Sequence, residues 1–132
     1  MQLKVTTENA RVPVAVVRAE GNIDSASYEA FLAGVEETIN KGARHVLIDL
    51  SAVPFVSSAG LRALNILLNR LRALTPDISD EEMKKGINSG TYKSPHLKLL
   101  NPSKATSTTL ESSGFSMFIP VFHDFKTAIA SF

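Results

Sequence analysis

The sequence contains no cysteine, which excludes a thiol nucleophile, disulfide bonds and thiolate metal sites. Its 14 basic and 13 acidic side chains leave a net charge of +1, so it lacks an electrostatic footprint for a phosphate backbone and no direct nucleic-acid partner is expected. Long apolar runs are missing as well. Charges break each one well short of a membrane span, and nothing resembles a secretory leader, so no direct membrane insertion is expected and the cytoplasm is the expected location. His45, His96 and His123 are scattered without metal-ligand spacing. There is neither a Gly-x-x-x-x-Gly-Lys phosphate loop nor a Gly-x-Ser-x-Gly elbow. Ser58 with Asp49 and one of the three histidines is a distant hydrolase alternative. No catalytic residue, metal or cofactor is expected. With 44 % hydrophobic and 20 % charged residues in a chain of 132, the balance is that of one folded domain, 1–132, with a single well-buried core.

What is present is organised around residues 46–74. Val46-Leu47-Ile48-Asp49-Leu50 is a β-favouring apolar run that suits a strand covered on both faces, and Pro54 ends its ladder. From Leu61 onward, Leu64, Leu67, Leu68, Leu71 and Leu74 fall at the spacing of a helix face, with Arg62, Asn65, Asn69 and Arg72 left outside. Ser57 and Ser58 stand where that helix begins. The first turn of a helix has unpaired N–H groups and a partial positive charge, so one serine can cap it while the other presents its hydroxyl where an added negative charge is favoured. Ala59 and Gly60 then leave room for another molecule. An ordinary cap, with Gly60 serving only tight packing, accounts for the same residues.

The remaining chain alternates strands and helices. Leu3 and Val5 lie on one face of an edge strand, and a second strand over 12–19 follows closely enough to pair with it antiparallel. Asp24 or Ser25 caps a helix with the face Tyr28, Phe31, Leu32, Val35 and Ile39, ended by Gly42. Residues 75–95 are the least regular part, an extended loop with one short helix expected at its capping-box run Ser79-Asp80-Glu81-Glu82. A strand over 96–100 leads to a helix capped near Ser103, ended by Gly114 and held through Ala105, Leu110 and Thr109. A last strand over 118–122 precedes a C-terminal helix capped by Asp124, with Phe125, Ala128, Ile129 and Phe132 as its face. The expected fold is α/β, a mixed, largely parallel sheet with an N-terminal hairpin and about four packing helices. In such sheets ligand contacts gather at the carboxyl ends of the strands, where the serines lie.

Gly21-Asn22-Ile23-Asp24, residues 46–51 and Phe55-Val56-Ser57-Ser58-Ala59-Gly60-Leu61, in this order and spacing, resemble the STAS domain of bacterial anti-sigma-factor antagonists. Lys98-Leu99-Leu100-Asn101 and Val121-Phe122-His123-Asp124 extend the likeness to nearly all of the chain apart from 75–95. The resemblance implies a non-enzymatic module, switched by phosphorylation. Unphosphorylated, it binds an anti-sigma factor that is also a serine kinase, and so frees a sigma factor and regulates transcription. The kinase then phosphorylates it and a cognate serine phosphatase restores it. By position the phosphoacceptor is Ser58, with Ser57 the alternative because Ser57 stands where the family commonly has Asp. The implied partner surface comprises Asp24, Ser57, Ser58, Ala59, Gly60, Leu61 and Arg62. A homodimer is left open. Similar STAS domains also serve as scaffolds of stress-signalling complexes or as regulatory subunits of lipid or anion transporters, and that is the alternative role.

Overall fold

The computed structural model describes residues 1–75 and 93–132. The short helix expected at Ser79-Asp80-Glu81-Glu82 lies outside the described residues. The elements run β1 (Gln2–Asn9), β2 (Pro13–Glu20), α1 (Tyr28–Asn40), β3 (Val46–Ala52), α2 (Ser58–Leu74), β4 (Leu97–Leu100), α3 (Lys104–Ser113), β5 (Val121–Phe122) and α4 (Phe125–Ala130). They build a five-stranded sheet in the order β1-β2-β3-β4-β5. Among the described residues only the β1/β2 hairpin is antiparallel, and the other three pairings are parallel. This is the mixed, largely parallel α/β sheet that the alternation of elements predicts.

Both faces of the central strands are covered, which explains their unbroken apolar sequences. Ala15, Val17, Ala19, Val46, Ile48 and Leu50 turn to the face carrying α1 and α2 and join Phe31, Val35, Ile39, Leu64, Leu67 and Leu71 in the larger core. Val14, Val16, Leu47 and Leu100 turn the other way, onto Ala128 and Phe132. Leu74 and Phe125, expected on helix faces, are exposed because each lies at an end of its helix beyond the reach of the sheet.

Three local expectations are corrected. Helix α1 starts at Tyr28 with Ser27 at the N-cap position, because the Asp24 carboxylate is engaged earlier, accepting from the Ala26 N–H (3.0 Å) and the Ser27 hydroxyl (3.2 Å). Helix α3 buries Thr106 and Leu110, and Ala105 is exposed. The last strand shrinks to Val121–Phe122, since Phe115–Met117 forms a 3₁₀ turn after Gly114, whose φ of 83° suits glycine.

Candidate functional site

The site lies at the carboxyl end of β3, where the chain passes through residues 53–57 into α2. Val53 and Val56 are buried and anchor the loop in the core. Its backbone is tied on one side to the segment after β2: the Ile23 N–H donates to the Phe55 carbonyl (3.0 Å) and the Ser57 N–H to the Ile23 carbonyl (2.9 Å). On the other side the Ser103 hydroxyl donates to the Pro54 carbonyl (2.8 Å). Hydrogen bonds to two separate stretches of chain thus fix the conformation from which α2 starts.

The two serines at that start differ in environment. Ser57 is the N-cap, its extended backbone (φ −83°, ψ 179°) turning the hydroxyl over the helix end to accept from the Gly60 N–H at 3.5 Å. Ser58 is the first helical residue, exposed, and among the described residues its hydroxyl has no hydrogen-bond partner. Asp24 follows Ile23, and the parallel bridge between Ile23 and Val56 sets Asp24 beside Ser57. The two chain segments and the starts of α1 and α2 therefore share one edge of the molecule. Ala59 and Leu61 are half-buried and Arg62 is exposed.

Gly60 does not leave room for another molecule, as its position in the sequence had led us to expect. It is buried, and a Cβ there would lie 2.6 Å from Val56 Cγ1 and 2.7 Å from the Ile23 carbonyl oxygen. Its role is close packing that seats the helix start on the Ile23 segment. The hydrolase alternative loses Asp49 and two of its three histidines, while His123 follows β5, exposed, at the carboxyl end of the sheet. Asp49 lies on the sheet face opposite α2, with Leu47, and its Oδ1 accepts from the Ser51 N–H (2.9 Å). His45 and His96 stand with ring centres 4.8 Å apart and planes tilted by 40°, at the amino ends of β3 and β4, the opposite end of the sheet from Ser58.

Residues 4–75, more than half of the chain, match the model of the STAS domain. The chain belongs to the STAS domain family. As a STAS domain it is 28 % identical over 113 residues to BtrV of Bordetella bronchiseptica, which is named as an anti-sigma factor antagonist; the match covers 86 % of this chain and 81 % of BtrV. In fold it is similar to the unphosphorylated anti-sigma factor antagonist SpoIIAA (TM-score 0.66, 19 % identity, 96 % of this chain and 93 % of that one). It is also similar to the phosphorylated form of SpoIIAA from Bacillus (TM-score 0.60, 19 % identity, 96 % of each chain). An anti-sigma factor antagonist from Mycobacterium paratuberculosis is equally similar (TM-score 0.66, 19 % identity, 98 % of this chain and 93 % of that one).

Two roles in this STAS domain went beyond the sequence reading, the exposure of Phe55 and the second bond of Ser103. Phe55 is 42 % exposed on the tied loop, three positions before Ser58. The only signal in the sequence was an aromatic next to Pro54 in a loop that otherwise buries its valines. Ser103 was legible as a helix cap, and it does accept from the Thr106 N–H at 3.1 Å. Its second bond, to a carbonyl 49 positions earlier, had no local signature.

Proposed function

We propose that this STAS domain is an anti-sigma-factor antagonist whose switch is the Ser58 hydroxyl. The observation that carries the reading is the contrast between the serines: Ser57 is used by the cap, whereas Ser58 is exposed and unpaired at the first position of a helix whose preceding loop is held from both sides. A kinase can reach Ser58 without unfolding anything, and the capping role that Ser57 fills leaves Ser58 free to carry the phosphate.

Unphosphorylated, the surface around Ser58 offers a neutral hydroxyl, the exposed ring of Phe55 and the small side chain of Ala59. That surface suits desolvation against a protein partner, which we take to be the anti-sigma serine kinase. Phosphorylation adds roughly −1.5 to −2 charges at neutral pH. The start of α2 tolerates this charge, because its N–H groups and dipole favour an anion. The partner surface does not, since it must desolvate the phosphate without matching it, so binding is lost while the fold is kept. Arg62, exposed one turn along α2, can pair with the phosphate from within the chain. A serine phosphatase completes the cycle. The name of BtrV and the existence of SpoIIAA in both phosphorylation states support this reading.

The test is phosphorylation by the anti-sigma kinase with ATP, mapped by mass spectrometry. One phosphate on Ser58, absent in Ser58→Ala and retained in Ser57→Ala, is expected. Labelling on Ser57 would contradict the assignment.

A further inference from the structure

Strand β1 is the edge of the sheet, eight residues long and in unbroken register with β2 from Gln2↔Glu20 to Asn9↔Pro13. Edges of this length are normally blunted by charged side chains, a bulge, a proline or a covering element, and β1 carries two charges, Lys4 and Glu8. Here neither bulge nor proline interrupts it, and among the described residues no element lies along its outer side. The direction of its backbone groups follows from β2. The Ala15 N–H donates to the His45 carbonyl (2.9 Å), so the odd positions of β2 bond to β3 and the even ones to β1. The register pairs even with even. Lys4, Thr6 and Glu8 therefore bond inward, and Leu3, Val5 and Thr7 turn their N–H and C=O groups outward.

We propose that the outer edge of β1 pairs antiparallel with β1 of a second copy of this chain, in the register that sets Lys4 opposite Glu8 of that copy. A symmetric antiparallel pairing must match outward positions with outward positions, which leaves few registers. With the two-fold axis at Val5, Lys4 meets Thr6 and both charges go unmatched. With the axis at Thr6, Val5 meets Thr7, and the symmetry forms the Lys4–Glu8 pair twice. This register also answers a conflict within the single chain. Lys4 lies directly opposite Arg18, and like charges facing each other across strands are unfavourable. The second copy brings Glu8 to the other side of Lys4 and offsets that repulsion. On the opposite face Val5 is 46 % exposed. It borders a groove of about 570 Å³ between β1 and α1, with Leu3, Thr7, Gly34 and Ala43 in its walls, and the paired strand would shield this apolar side from water.

Sedimentation equilibrium on the full chain, from micromolar to submillimolar concentration, tests the pairing with charge reversals. The wild type should self-associate, and Lys4→Glu and Glu8→Lys should each weaken association at least roughly tenfold, because two attractive pairs become repulsive. An equimolar mixture of the two variants should associate again as a dimer of one copy of each. Lys4→Glu places an acid opposite Arg18, so its fold is not at risk, and circular dichroism checks both variants. Val5→Pro, which removes an N–H that β2 does not use, should also abolish association. A wild type that stays monomeric throughout overturns the proposal and leaves the edge to an extended strand of another protein. Association that the reversals leave unchanged, or a mixture that fails to recover it, also overturns the proposal.

Discussion

Replacing Gly60 by alanine tests how the start of α2 is seated. The new Cβ would lie 2.6 Å from Val56 Cγ1, 2.7 Å from the Ile23 carbonyl oxygen and 3.0 Å from Ile23 Cγ2. Val56 and Ile23 are fully buried. The carbonyl cannot withdraw without loosening its 2.9 Å bond from the Ser57 N–H. Overpacking of this kind costs about 1–3 kcal/mol. Alanine recovers up to about 1 kcal/mol in a helix interior, less in a first turn. The net loss is therefore about 1–2 kcal/mol, a fall in thermal midpoint of roughly 4–8 °C. Gly34, in the middle of α1, is the internal comparison. A Cβ there would meet only the side chain of Leu3, which is half-buried and free to turn aside. Gly34→Ala should thus be neutral or stabilising, by up to about 1 kcal/mol. Urea and thermal melts of the two variants decide the matter. If Gly60→Ala melts at or above the wild type, the packing reason for this glycine is wrong.

Ser103→Ala removes both the α3 cap and the tie to Pro54 and should cost about 1–2 kcal/mol in urea melts. Hydrogen exchange should rise in residues 53–57 of the variant, and a loop as protected as in the wild type would show that the tie is idle. Lys98 is buried on β4, donating from Nζ to the Ser131 carbonyl (2.8 Å) and hydroxyl (2.9 Å) over the Phe132 ring. Burial first, and the nearby Arg11 second, lower its pKa below the ordinary 10.5. Between the lowered value and 10.5 the unfolded chain binds the proton more readily, so this residue makes stability rise with pH in that window. Lys98→Met should remove that share of the slope in melts at alkaline pH, and an unchanged slope would refute it.

Periodicity in the sequence was enough for the elements with one strong pattern. The leucines of α2 and the apolar run of β3 needed no tertiary information, because helix spacing and double-sided burial each write themselves into consecutive residues. The end of the chain was less legible. Thr106 is buried where Ala105 was expected, because the Ser103 cap fixes the phase of α3 and turns Thr106 inward. Val5 alternates as a buried residue would, yet it stands 46 % exposed at the groove between β1 and α1. At the site, composition marked the serines but not their difference. Which serine caps and which is free depends on the backbone that Ile23 and Ser103 hold, and both bonds join residues more than thirty positions apart.

Calorimetric titration of the proposed partner, an anti-sigma serine kinase, with wild type, Ser58→Ala and Ser58→Asp tests the proposed switch most directly. All three should fold alike, since an acid at the start of α2 is favourable by about 0.3–1 kcal/mol. Ser58→Ala should bind as the wild type does. Ser58→Asp should bind at least about tenfold more weakly, because its charge is desolvated without a match. Binding of Ser58→Asp as tight as that of the wild type would contradict the electrostatic switch.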